Sequence, residues 1–169
     1  RPEAAAVLNG LRALGIKNTV MMTGDSERTA AAIAKQVGVD HFFAEVLPED
    51  KANFVQKAKA EGHTVVMIGD GINDSPALSA ADIGIAINSG AAIAREIADV
   101  TIKADSLEEL VVLKVIANSL QKRVHANYRF VLTFNSALIA LGALGILQPA
   151  SSAMLHNLST IGISLKSMT

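Results

Sequence analysis

The run Gly69-Asp70-Gly71-Ile72-Asn73-Asp74-Ser75-Pro76-Ala77-Leu78, preceded by His63-Thr64-Val65-Val66-Met67-Ile68, decides how this chain folds. The six leading residues are rich in apolar and β-branched side chains and read as a strand. Glycines at 69 and 71 let the chain turn tightly off its end, and residues 74–81 continue as a short helix. Asp70 and Asp74 can converge across that turn. Two neighbouring carboxylates repel, so they need a cation between them, and an all-oxygen donor set suits Mg²⁺. Asn73 adds a neutral amide able to hold a carboxylate or a substrate. An Asp-Gly pair alone is commonly just a turn; the full ten-residue run is a far stronger signal.

Working outward, helix and strand alternate through the first 105 residues. Helical patterns over 3–14, 26–37, 48–61 and 91–98 separate strand patterns over 18–23, 63–68, 82–87 and 100–102. Pro48 opens its helix at the first turn, and Gly38 and Gly62 stop theirs. Strands nearly continuous in apolar residues, separated by helices, predict a parallel α/β sheet covered on both faces. Ligands of such sheets gather at the carboxyl ends of the strands. Two acid-bearing turns fall there: Thr23-Gly24-Asp25 after one strand and Gly69-Asp70-Gly71 after another.

In Thr23-Gly24-Asp25 a hydroxyl and a backbone N–H beside glycine form a donor set for phosphate oxygens; a local capping role for Thr23 or Asp25 explains the same residues equally well. In Leu47-Pro48-Glu49-Asp50-Lys51 the lysine sits in the first turn of a helix, where it opposes the helix dipole. An anionic partner near Lys51 is therefore expected, with a solvated lysine as the plainer reading.

Composition divides the chain in two. Half of its 169 residues are hydrophobic, 18% are charged, the net charge is -1 and cysteine is absent. Disulfides, thiolate metal sites and cysteine nucleophiles are thereby excluded within the chain. Near-neutrality argues against a nucleic-acid partner. All 16 acidic residues lie at or before Glu109, whereas the last 43 residues, 127–169, carry only Arg129 and Lys166 as charges. Phe130 to Leu147 is an uncharged run of 18 residues, about 27 Å as a helix at ~1.5 Å per residue. Ser151 to Met168 is equally long and more polar, with Ser152, His156, Thr160 and Ser164 recurring every fourth residue, a polar face suited to a bundle interior. Pro149 lies in the short link between them. The two runs are expected to form an antiparallel transmembrane hairpin with a short non-cytoplasmic loop. Lys122, Arg123, Arg129 and Lys166 mark its cytoplasmic end. Residues 1–105 then form a cytoplasmic domain, 106–126 a linking helix and 127–169 the membrane part. The Arg1-Pro2 start suggests a piece of something longer.

The three motifs, in this order and spacing, resemble the phosphorylation domain of heavy-metal-transporting (CPx-type) P-type ATPases, a haloacid-dehalogenase-like fold. The resemblance extends through Gly84-Ile85-Ala86-Ile87-Asn88-Ser89-Gly90 and Ala98-Asp99-Val100-Thr101-Ile102. It implies that Asp70 and Asp74 hold Mg²⁺ with help from Asn73, that Thr23 within Thr23-Gly24-Asp25 binds the transferred phosphoryl group, and that Lys51 neutralises it. It also implies a nucleophilic Asp in an Asp-Lys-Thr-Gly-Thr run and an inserted ATP-binding domain, both expected upstream. No such run occurs in this chain, so on this reading the fragment alone does not hydrolyse ATP. Its partners would be the rest of the same polypeptide and the lipid bilayer. Alternatives of other kinds are a phosphatase of the same fold and a non-catalytic, membrane-anchored module binding Mg²⁺ or phosphate.

The transported ion is read by the same resemblance. Copper exporters carry Asn, then Tyr-Asn seven and eight residues later; Asn127 and Phe134-Asn135 match that spacing with Phe for Tyr. On the last helix those pumps have Met three residues before Ser-Ser, where this chain has His156 before Ser159-Thr160. Zinc and cadmium pumps have His-Asp-Gly-Ser-Thr, with Asn157 here in the place of the Asp, and a Lys where Asn135 stands. An imidazole in place of a thioether favours a borderline divalent ion (Mn²⁺, Zn²⁺, Co²⁺ or Fe²⁺) over Cu⁺. Asn135, His156, Asn157, Ser159 and Thr160 are the candidate ligands. A histidine merely bonded to a neighbouring helix accounts for His156 as well.

Overall fold

The computed structural model describes residues 3–69, 72–87, 96–103 and 107–167. The chain divides into two compact units, residues 1–114 and 115–169. In the first, α1 (Ala4–Ala13), β1 (Val20–Met22), α2 (Glu27–Val37), β2 (His41–Phe43), α3 (Pro48–Ala60), β3 (Val66–Gly69), a 3₁₀ turn (Ile72–Asp74), α4 (Ser75–Ala80), β4 (Ile83–Ile87) and β5 (Val100–Ile102) follow one another. The next helix, α5 (Glu109–Ala143), starts in this unit and continues into the second, where α6 (Pro149–Ser167) follows. Of the expected helix over 91–98, residues 91–95 lie outside the described residues.

Among the described residues all strand pairing is parallel, as the apolar strands separated by helices predict. There it forms two sheets rather than the single one expected: β1–β2 and β3–β4–β5. The second strand, His41–Phe43, is absent from the sequence expectation. Three residues are too few to establish a period, and the segment is recognisable only through its ladder with Val20–Met22.

The β3–β4–β5 sheet is covered on both faces. Val7 and Leu11 of α1, with Leu107 and Leu110, pack against Ile85, Ile87 and Ile102. Val55 of α3 and Ala77 and Leu78 of α4 pack with Met67 on the other side. Each Leu, Ile or Val removed from water in these clusters contributes about 1.5–3 kcal/mol. Met22, at the end of β1, packs against the second cluster.

A polar staple joins α1 to the β1–β2 sheet. The Arg12 guanidinium donates to Thr19 Oγ1 (3.0 Å), to the Gly38 carbonyl (2.6 Å) and to Asp40 Oδ1 (3.0 Å). Thr19 donates to Asp40 Oδ2 from both its hydroxyl (2.6 Å) and its backbone N–H (2.8 Å).

The second unit corrects the expectation of two membrane spans. Among the described residues no helix is long and apolar enough to cross a membrane. The uncharged run 130–147 is not one helix. Its first 14 residues end α5 at Ala143, and the chain then turns through Gly145, whose φ of 72° suits a residue without Cβ. Those 14 residues cover only about 21 Å. The second helix is weakened by Ser151, Ser152, His156, Asn157, Ser159, Thr160 and Ser164. The two helices are nevertheless joined, Asn127 Nδ2 donating to Ser167 Oγ at 2.8 Å. Much of their apolar surface stays exposed, Ile139 at 73% and Leu165 at 62%.

The staple makes acid stability testable. Hydrogen bonds from the Thr19 side chain and then its backbone, followed by Arg12, hold the Asp40 carboxyl at about 2 instead of 3.8. Its stabilising contribution is complete above the unfolded value of 3.8 and is lost as pH falls through about 2. Thr19→Val is expected to raise the Asp40 pKa toward 3.8 and to flatten the fall of thermal stability across this window. NMR titration of the Asp40 carboxyl and melting curves at stepped pH check this; an unmoved pKa contradicts it.

Candidate functional site at the strand ends

Asp74 is the anchor of the site. It closes the 3₁₀ turn that leaves β3 and precedes α4, whose Pro76 sits in the first helical turn and needs no N–H partner there. The residue is only 8% exposed. Its carboxylate lies directly over Gly69: a Cβ built at that glycine would fall 2.7 Å from Asp74 Cβ and 2.9 Å from Oδ2. The strand's last residue must therefore lack a side chain. This is the feature that sequence reasoning, which gave Gly69 only a turning role, did not find. The contact across five residues has no periodic signature.

Lys51 comes to Asp74 from the first turn of α3. Packing of α3 on α4, through Val55 against Ala77 and Leu78, brings the lysine in. Nζ lies 2.8 Å from Asp74 Oδ1, and the two side chains are only 14% and 11% exposed. The anionic partner expected for Lys51 is thus Asp74. Asn73 is exposed beside it. Asp70, the other expected carboxylate, lies outside the described residues.

Thr23, Gly24 and Asp25 follow β1. The Thr23 hydroxyl donates to Asp25 Oδ2 (2.8 Å) and accepts from the Asp25 N–H (3.1 Å), a closed local turn. The loop is zipped to the one after β2, where the N–H groups of Glu45 and Val46 donate to the carbonyls of Asp25 and Thr23. Met22, the preceding residue, packs on the same cluster that supports α3 and α4. Each motif leaves the carboxyl end of a strand that is parallel to its own sheet neighbour.

The donor chemistry fits Mg²⁺. Asp74 offers carboxylate oxygens held beside a glycine, and Asp70 follows that glycine in sequence. Among the described residues no group of three His, Cys, Asp or Glu side chains gathers into a site that could hold a metal.

The second unit joins only part of the candidate ion ligands across its helices. His156 Nδ1 and Asn135 Oδ1 are 2.9 Å apart. The Ser159 and Thr160 hydroxyls instead donate to the His156 carbonyl within their own helix, at 2.8 and 3.0 Å. Asn157 is exposed. A cavity of about 640 Å³ adjoins the Asn135–His156 pair and is also lined by Leu138, Gly142, Pro149 and Ser152. The Asn127–Ser167 bond was not anticipated either, because pairing of residues 40 apart depends on how the two helices meet.

Comparison with known proteins agrees with this layout. Residues 1–82 and 49–116 match two families, each described as haloacid dehalogenase-like hydrolases. The chain is 43% identical over 164 residues to a manganese-exporting P-type ATPase of Mycobacterium leprae, covering 96% of this chain and 23% of that protein. It is also 43% identical over 164 residues to a zinc-exporting P-type ATPase of Mycobacterium marinum, covering 96% of this chain and 22% of the relative. Among solved structures, a zinc-transporting PIB-type ATPase in its E2.Pi state superposes with a TM-score of 0.83 at 35% identity, over 98% of this chain and 27% of that one. The chain thus spans under a quarter of the length of these curated relatives.

Gly69→Ala is expected to push Asp74 off the strand end, separate it from Lys51 and lower unfolding stability by about 1–3 kcal/mol. Chemical denaturation and a crystal structure of the variant check this. A retained Lys51–Asp74 contact at unchanged stability contradicts it.

Proposed function

We propose that this chain, whose homologues are heavy-metal P-type ATPases and whose α/β unit has the haloacid dehalogenase-like fold, supplies the Mg²⁺- and phosphate-binding half of the phosphorylation site of a metal-exporting pump. The buried Lys51–Asp74 pair at the carboxyl end of β3 carries this reading. Asp70 and Asp74 would hold Mg²⁺, which offsets charge on a phosphoryl group when bound. Lys51 donates from an ammonium with two further N–H groups for phosphoryl oxygens. The backbone of Gly24, together with the Thr23 hydroxyl and Asp25 N–H once they exchange their mutual hydrogen bonds for the ligand, would orient that group from the end of β1. Asn73 supports the carboxylates. Phosphoryl transfer needs little beyond such positioning and charge neutralisation.

The nucleophile belongs to the part of the pump that this chain does not span. β1 and β3 each have one unpaired side among the described residues, Val20, Val66 and Ile68 are more than a third exposed, and Met22 and Met67 share a cluster. Each sheet thus keeps an open edge at which a further parallel strand, bearing the phosphorylated aspartate, would pair. ATP binds chiefly to the missing domain, and the chain alone is inactive in hydrolysis.

The helix pair, which does not form two independent membrane spans, is taken as a packing element of the pump's helix bundle. Its exposed apolar surface supports this, and the Asn127–Ser167 bond joins the two helices at the end that carries Arg129 and Lys166. Neither helix is apolar enough to stand alone, so neighbouring helices of the pump complete its surroundings. The cargo is a borderline divalent ion, with His156 replacing the thioether that Cu⁺ prefers.

In the full-length pump, Asp74→Ala is expected to abolish metal-stimulated phosphoenzyme formation, measured as acid-stable incorporation of labelled phosphate. Normal phosphoenzyme levels would refute the Mg²⁺ role. An upstream coding sequence without Asp-Lys-Thr-Gly-Thr would sink the pump reading altogether.

A further inference from the structure

The two ring nitrogens of His156 have different surroundings. Nδ1 lies 2.9 Å from Asn135 Oδ1 on the facing helix. A carbonyl oxygen only accepts, so the ring donates there, and a neutral imidazole that donates from Nδ1 carries its lone pair on Nε2. Histidines that ligate metals are characteristically held this way, the outer nitrogen bonded to a carbonyl or carboxylate that fixes tautomer and ring plane. The backbone beneath the ring is also tied, because two hydroxyls of the following turn donate to the His156 carbonyl. The pair borders a cavity of about 640 Å³, which Ser152, one helical turn earlier, also lines.

We propose that Asn135 is a positioning residue rather than an ion ligand. It fixes His156 as the Nδ1–H tautomer and leaves Nε2 as the nitrogen donor for a borderline divalent cation. The assignment deepens the pump reading and rests on it. It also changes what the asparagine contributes: its amide oxygen serves to hold the ring, and Ser152, which lines the same cavity, is a candidate oxygen ligand.

The tautomer is read directly by long-range ¹H–¹⁵N correlation of the ¹⁵N-histidine-labelled chain in detergent micelles, with His156→Gln identifying the signal. The wild-type chain is expected to show Nδ1–H. Asn135→Leu shifts the ring toward Nε2–H, and Asn135→Asp, which keeps an acceptor oxygen, restores Nδ1–H. In the full-length pump, tested with Zn²⁺, Mn²⁺ and Co²⁺ separately, Asn135→Leu is expected to raise the KM for the stimulating cation about 10–100-fold. Phosphorylation by inorganic phosphate stays within about twofold, and Asn135→Asp recovers most of the loss. An Nε2–H tautomer in the wild-type chain, or an unchanged KM in Asn135→Leu, overturns the proposal. If none of the cations stimulates the wild-type pump, the pump reading and the cation assignment both fall, while the tautomer still reports whether Asn135 orients the ring.

Discussion

The ion pair between Lys51 and Asp74 is the constraint around which the α/β unit is arranged. Withdrawing two charges from water costs several kcal/mol per ion, and the loss is recovered only with close geometry. A contact of 2.8 Å between side chains 14% and 11% exposed meets that requirement. It binds three elements at once. The first turn of α3 must reach the start of α4, so the helices pack through Val55, Ala77 and Leu78. The carboxylate must lie against the end of β3, and only glycine at position 69 leaves room. A lysine opposing a helix dipole is tolerated because a carboxylate faces it. Stability and chemistry are therefore joined here: the groups that would meet Mg²⁺ and phosphate also hold the two helices together.

What the sequence revealed of this arrangement follows the range of each interaction. Helices α1, α2 and α3 are local objects, announced by apolar spacing, Pro48, Gly38 and Gly62, and they appear within a residue or two of expectation. The strands β3, β4 and β5 are visible as apolar runs for the same reason. β2 has no local signature, since His41–Phe43 becomes a strand only by pairing with β1. The division into two sheets is likewise a property of long-range pairing. At the site, the acids at the end of β3 and a lysine in the first turn of α3 point to Asp74 and Lys51 as chemistry, but their mutual contact and the role of Gly69 depend on tertiary packing.

The helix pair shows the opposite failure, where a local pattern promised more than it delivered. An uncharged run of 18 residues satisfies a length rule, yet its last four residues leave the helix at a turn built on Gly145. The polar residues spaced by four on α6 looked like one ligand-bearing face. Two of them are absorbed within the helix: Thr160 donates to the His156 carbonyl and Ser164 to the Thr160 carbonyl. Hydroxyls in helices commonly satisfy themselves on the carbonyl one turn back. An imidazole does not form this short bond so readily, and of this stripe His156 is the residue that bonds across to the other helix.

That contrast bears on how such a chain would choose an ion. Nitrogen and oxygen donors bind first-row divalent ions in an order set by the metals themselves, so affinity alone does not select among them. With no cysteine in the chain, no thiolate from it contributes to the choice. What remains under the protein's control is geometry: which nitrogen faces the ion, in what plane, and how rigidly. In the proposed arrangement the Nδ1–Asn135 hydrogen bond would set the first two, and the carbonyl tied by Ser159 and Thr160 would limit the third. On the proposed assignment, a substitution at Asn135 would reach the ion through the histidine it bonds rather than by direct contact.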